Sequence, residues 1–240
     1  MARRQRDCPR CRIPRRRDSP AVSSRLRRIH DRLLEAFGPQ HWWPGETPFE
    51  VMVGAVLTQN TAWRNVELAI ANLKAAAALT PAAIAGLPHA ELAALIRPSG
   101  YFNVKARRLQ AFCRFVVESG GEDVLAGLPT EVLRRDLLAV HGIGPETADD
   151  VLLYAFARPV FVIDAYTRRL LRRLGVANGD EGYEALRHGI ERAFGPQTQL
   201  FSELHGLIVH HAKVACSTRP RCAACCLRRI CPEGRTRITP

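Results

Sequence analysis

The chain has 240 residues, 47% of them hydrophobic, and a formal net charge of +12. This length supports one large domain or two small lobes with a substantial core, and no apolar run approaches the ~18 residues that would suggest a membrane span. Residues 1–30 hold eleven Arg and two Asp, a charge of +9, which leaves only +3 on the other 210 residues; this Arg-rich start also lacks the apolar stretch of a secretory signal.

Residues 1–20 are rich in Arg and Pro without periodicity and are expected to form a disordered basic tail. Such a tail is equally consistent with a lure for nucleic acid and with a solvated segment that has no specific partner. From Val22 the pattern is helical. Val22, Leu26, Ile29, Leu33 and Phe37 recur at spacings of three or four until FGPQ stops the run. TPFEVMVGAVLTQ is apolar nearly all round and reads as a central buried helix. AWRNVELAIANLKAAAAL places Val66, Ile70, Leu73 and Ala77 on one face. TPAAIAGL starts a helix with Thr80 as N-cap and Pro81 at the first helical position. NVKARRLQAFCRFVVES is amphipathic and ends at Gly120-Gly121, with Cys113 as a packing residue. LPTEVLRRDLLAV, DEGYEALRHGIERAF and QLFSELHGLIVHHAKVAC complete an all-α chain of about ten short helices. FGPQ occurs twice, at Phe37 and Phe194, and is read as shared helix-stop chemistry.

Cys216, Cys222, Cys225 and Cys231 give C-x5-C-x2-C-x5-C. Four thiolates in so short a run can enclose a [4Fe–4S] cluster or a zinc ion, or pair as disulfides. Nothing suggests secretion, which disfavours disulfides. Zinc sites usually pair two short knuckles and this run has one, so iron–sulfur is favoured. Cys226 is surplus, and Cys8 with Cys11 forms a half-site that cannot fill a tetrahedral centre.

VHGIGPETADD sets Gly142 and Gly144 around Ile143, between two helical patterns. Glycine takes backbone angles closed to other residues, and a turn of this kind before a helix can aim amides at a phosphate without reading sequence. An ordinary helix–helix turn has the same pattern. Twenty residues beyond Gly144, Asp164 in VFVIDAYTRRLL opens another helix. It reads as an N-cap, for which Asp is well suited, and also as a carboxylate at the mouth of a cleft.

In this order, VMVGAVLTQNTAWRNV, GYFNVKARRLQAF, LLAVHGIGPETADDVLLYAF, VFVIDAYTRRLLRRLG and the cysteine run resemble the helix-hairpin-helix DNA glycosylases, in their endonuclease III-like branch with an iron–sulfur loop. The match runs from about Ile29 to Cys231. The family has six residues in the first cysteine gap where this chain has five. The resemblance implies two helical lobes with a DNA-binding cleft between them. Residues of about 45–160 would form the central lobe with the hairpin; 21–44 and 161–240 would form the second, with the iron–sulfur loop at 216–231. A damaged base is flipped from double-stranded DNA into a pocket, and Asp164 takes the place of the catalytic acid. Gln59 matches a residue that fills the gap in the duplex. His141, Gly142, Ile143 and Gly144 match the phosphate clamp, and Lys105 is expected at a phosphate.

Endonuclease III itself has Lys where this chain has Glu146; that amine attacks the sugar and then cleaves the strand. A carboxylate cannot form a Schiff base. With HWWPGETPFE added, the chain looks most like the 3-methyladenine DNA glycosylase III subgroup. There Trp42, Trp43, Trp63 and Lys213 would line the base pocket, flat partners on which a flipped, electron-poor purine stacks. The expectation is a monomeric, cytoplasmic glycosylase with a [4Fe–4S] cluster that hydrolyses the N-glycosidic bond of an alkylated purine without cutting the strand. The alternatives are a bifunctional glycosylase/lyase on oxidised pyrimidines with Lys213 as the amine, a mismatch glycosylase for adenine or thymine, and a non-catalytic damage-binding iron–sulfur protein.

Overall fold

The computed structural model describes residues 20–42 and 45–236. The basic tail with Cys8 and Cys11, and also Trp43, lie outside the described residues. Among the described residues there are helices and connecting turns and no strand.

The first helices follow from their caps and stops. α1 (Pro20–Phe37) ends where Gly38 takes φ +68°. α2 (Pro48–Leu57) begins at Thr47, whose hydroxyl accepts from the Glu50 amide at 3.1 Å. α3 (Trp63–Ala75) is followed by α4 (Pro81–Gly86), where Thr80 accepts from the Ala83 amide at 3.2 Å. α5 (His89–Leu95), α6 (Phe102–Glu118), α7 (Glu122–Gly127) and α8 (Thr130–Ala139) lead to the hairpin. α9 (Pro145–Asp150) runs into one turn of π-helix (Val151–Ala155). α10 (Ala165–Arg173), α11 (Tyr183–Phe194), α12 (Thr198–Val214) and α13 (Pro232–Thr236) close the chain. The described residues therefore hold thirteen α-helices where periodicity predicted about ten. The excess lies in segments such as α5 and α7, of seven and six residues, which are too short to display a period.

The two FGPQ segments stop their helices by the same device. Gly38 and Gly195 are left-handed at φ +68° and +79°, a backbone region that glycine enters without steric cost. Each glutamine then folds back: Gln40 Nε2 donates to the Phe37 carbonyl at 3.1 Å and Gln197 Nε2 to the Phe194 carbonyl at 2.5 Å.

Buried apolar residues form two clusters. One runs from Phe49 to Val160 around α2, whose residues Phe49–Leu57 are all buried. The other joins Leu26, Ile29 and Leu33 of α1 to residues from Leu153 to Leu227. α9 and the π turn carry the chain from the first core to the second. A buried ion network clamps this crossing. Arg134 of α8 donates to both Asp149 oxygens at 2.7 and 3.1 Å, and to Glu184 of α11 at 2.7 Å. Removing one partner of such a buried pair costs about 3–5 kcal/mol, because the other charge is left buried alone.

Candidate active site

Asp164 stands at the end of a deeply buried approach, with Phe161, Val162 and Ile163 at most 1% exposed. It caps α10: Oδ1 accepts from the Thr167 amide at 2.6 Å. Its other oxygen, Oδ2, lies 3.6 Å from His205 Nε2 on α12. Burial by itself would push the Asp164 pKa up. The His205 ring and the Thr167 amide outweigh burial and hold it below its ordinary value. The carboxylate is therefore ionised at neutral pH, with Oδ1 fixed by the Thr167 amide and Oδ2 facing the His205 ring.

Glu146, second residue of α9, behaves in the opposite way. Burial raises its pKa first, and the Asp164 charge raises it further. One helical turn on, Asp150 is pushed well above the carboxylate range by burial and by Glu146, Asp164 and Asp149. Three acids thus share one neighbourhood, and Asp164 is the one held in its charged form.

The hairpin rests on Ile143, which is 5% exposed and packed in the first core, while His141 and Gly144 face solvent. The two glycines differ. Gly142 has φ +85°, and a Cβ there would lie 2.3 Å from Arg108 Cγ. Gly144 is extended at φ −93°, and a Cβ there would meet nothing within 4 Å, so its value is open space at the start of α9. Gln59, in the turn between α2 and α3, donates to the Thr147 hydroxyl at 2.9 Å and to the Gly142 carbonyl at 3.4 Å. Arg108 of α6 lies over Gly142 and donates to Gln59 Oε1. The sequence pattern did not single out Arg108, whose partners lie 49 and 34 positions away.

Lys105 corrects the expectation of a phosphate contact. It is 2% exposed, and Nζ donates to the carbonyls of Leu57 at 2.8 Å and Ser99 at 2.6 Å. Burial, with a contribution from Arg108, lowers its pKa to about 8. Lys105 ties α6 to the end of α2, and its amine does not reach solvent.

α12 brings together two of the predicted pocket residues, Trp42 and Lys213. The Gln40 backbone N–H donates to Glu203 Oε1 at 2.5 Å, fixing the segment that leads to Trp42. Trp42 lies against Gly206, where a Cβ would come within 2.7 Å of it. Two turns further along α12, Lys213 Nζ sits 5.3 Å from the centre of a Trp42 ring. His205, beside Gly206, meets Asp164, so successive α12 residues join the Trp42 wall to the acid. Trp63 opens α3 and is half-buried against the first core.

Cys216, Cys222, Cys225 and Cys231 line one cavity with Arg173, His211 and Gly234, and Cys226 does not line it. The described cysteines are all free thiols. Arg173 Nη1 is 3.2 Å from Cys216 Sγ, His211 Nε2 is 3.3 Å from Cys225 Sγ, and the Gly234 amide donates to Cys231 Sγ at 3.3 Å. Donors aimed at sulfur fit thiolate ligands. Among the described residues no three His, Cys, Asp or Glu converge as on a single metal ion. The four sulfurs line a common space, a donor set that would suit a cluster held by four thiolates.

Residues 53–196 match the HhH-GPD superfamily of base excision DNA repair proteins. A Methanocaldococcus jannaschii protein named as a putative DNA repair glycosylase is 42% identical over 207 residues, covering 85% of this chain and 94% of its own. Among solved structures, H. pylori 3-methyladenine DNA glycosylase bound to 1,N6-ethenoadenine is 31% identical, with a TM-score of 0.67 over 80% of this chain and 96% of that one. A non-covalent endonuclease III–DNA complex is 25% identical, with a TM-score of 0.78 over 90% of this chain and 97% of that one. No described helix is long and apolar enough to cross a membrane. With this helical fold, the hairpin and the acid at the start of α10, the chain belongs to the HhH-GPD superfamily, as an endonuclease III-like DNA glycosylase of base excision repair.

Proposed function

We propose that the protein is a monofunctional DNA glycosylase that binds double-stranded DNA, takes a damaged purine into a pocket bounded by Trp42 and Lys213, and hydrolyses its N-glycosidic bond. The observation that carries this reading is the contrast between two acids. Asp164 is held ionised, and the hairpin position that would supply a lyase amine holds Glu146.

An alkylated purine leaves as a neutral base, so the bond needs little acid assistance. The demand falls on the positive charge that develops on the sugar, and a fixed carboxylate meets it. Asp164 stabilises that charge and orients water for attack. Gln59 fills the duplex where the base has left, and the Gly142–Gly144 turn receives a phosphate. Trp42 gives the base a flat partner. Cys216, Cys222, Cys225 and Cys231 would hold a [4Fe–4S] cluster, which would shape the loop carrying Arg219, Arg221, Arg228 and Arg229. The similarity to a 3-methyladenine glycosylase supports the substrate class.

The test is a panel of duplexes, each with one lesion: alkylated purines, oxidised pyrimidines and mismatches. Release of alkylated purines in preference to the others is the expected result. Preferential release of oxidised pyrimidines, or binding with no release of any base, would refute the reading. Iron and sulfide analysis of anaerobically purified protein, expected at about four irons per chain, tests the cluster; stoichiometric zinc would contradict it.

A further inference from the structure

His205 is 4% exposed, and the reaction chemistry above gives it no role. Its two ring nitrogens face different partners. Nδ1 lies 2.6 Å from the Tyr154 hydroxyl, and Nε2 lies 3.6 Å from Asp164 Oδ2. Tyr154 reaches His205 from the π turn, a distortion often found at functional sites. Burial pushes the Tyr154 pKa far up, so its hydroxyl keeps its proton. A phenol that donates to Nδ1 leaves the ring hydrogen on Nε2, directed at Asp164. The ring also stands edge-on to Phe161, with centroids 6.3 Å apart, which limits its rotation.

We propose that His205 is a positioning residue for the glycosylase reaction: Tyr154 fixes its tautomer, and its buried Nε2, which makes no hydrogen bond and stands 3.6 Å from the second oxygen of Asp164, closes on that oxygen when DNA is bound and completes the anchor that Thr167 begins at the first. The proposal rests on the glycosylase reading. The two anchors divide the work. The Thr167 amide is the helix cap and belongs to folding, whereas His205 sets the direction and charge of the oxygen left for the sugar. The ionisable groups around this unit are Asp164 from α10, Tyr154 from the π turn, Glu146 and Asp150 from α9, and Glu203 from α12 itself. Asp164 is the carboxylate paired with the ring, so removal of the ring should act first on Asp164.

The test compares the wild type with His205→Phe, His205→Gln and Tyr154→Phe. Single-turnover base release is followed against pH, and the Asp164 carboxyl is titrated by carbon-13 NMR without DNA. In His205→Phe the acid limb of the rate profile should move up by about one pH unit, as for loss of a favourable partner. At pH values below that limb the rate should fall about tenfold, the equivalent of one unit. The Asp164 titration should move with it. His205→Gln, which keeps a donor, should recover most of the wild-type profile, and Tyr154→Phe should shift the limb less and in the same direction. If His205→Phe lowers the rate equally at every pH, or leaves the Asp164 midpoint where it was, the proposal fails. Should His205→Phe not fold, Tyr154→Phe and His205→Gln decide by the same criteria. A wild type that releases no base overturns the glycosylase reading instead, and the NMR titration, which needs no substrate, still decides the role of His205.

Discussion

Glu146 and Asp164 are carboxylates near the starts of consecutive α-helices, and their surroundings drive them apart. At α9 Glu146 keeps an exposed surface, but desolvation of its carboxyl and the Asp164 charge hold its proton more tightly than usual. At α10 Asp164 is more deeply buried, yet its burial is outweighed by the His205 ring and the Thr167 amide, so the proton is held less tightly. Proximity to a helix N-terminus is common to both and cannot explain the difference. The specific partners do. As pH falls, Glu146 takes up its proton before Asp164, and the site keeps one ionised acid at the point where the reaction needs negative charge.

The strongest way to break this comparison is Asp164→Asn. Asparagine also caps helices well, and its oxygen can keep the bond to the Thr167 amide. Its amide NH2 would then face a ring N–H. Base release should fall by more than about 100-fold, the scale for losing a preorganised electrostatic group, with the melting temperature and DNA affinity nearly unchanged. Near wild-type release would reduce Asp164 to a cap. A smaller effect is expected of Trp42→Ala, which should weaken release of alkylated purines by about 1–3 kcal/mol, the worth of a base stack. Equal loss on every substrate with a lower melting temperature would make Trp42 a packing residue only.

Lys105→Met sharpens the contrast between charge used at the site and charge used inside the fold. It leaves two buried carbonyls without their donor, at a cost of about 1–3 kcal/mol, read by denaturant unfolding. The salt dependence of DNA binding should not change; a weaker dependence would restore Lys105 as a phosphate contact. The smallest effect is expected of Glu146→Gln. A raised pKa means that the folded state binds this proton more tightly than the unfolded chain, so the charged form opposes folding at neutral pH. The variant should gain stability there, and the gain should vanish as pH falls through the raised value. A gain that persists at acid pH would deny the assignment.

Much of this arrangement was legible in the sequence. Long amphipathic runs such as the one through Val22 and Phe37 carry their own period, and Thr80-Pro81 and the two FGPQ segments announce starts and stops. Asp164 was legible because a cap after an apolar approach is a local pattern. Lys105 misled, since an amine in an amphipathic Arg-rich helix reads as exposed, and its acceptors are backbone carbonyls that no side-chain pattern reveals. His205 was hidden for a similar reason: in LHGLIVHH it is one of three histidines, and Tyr154, 51 positions away, is what distinguishes it. Arg108 gave no signal beyond its place beside Arg107.

The central claim is that a fixed, ionised Asp164 releases the base while Glu146, standing where a lyase has its amine, leaves the strand whole. A duplex with a single alkylated purine, incubated with the wild-type protein and divided before alkali treatment, tests it most directly. The expected result is base release in both halves, strand breaks only in the alkali-treated half, and no covalent adduct when borohydride is present during turnover. Strand breaks without alkali, together with an adduct that disappears in Lys213→Ala, would contradict the account and give the protein the bifunctional mechanism instead.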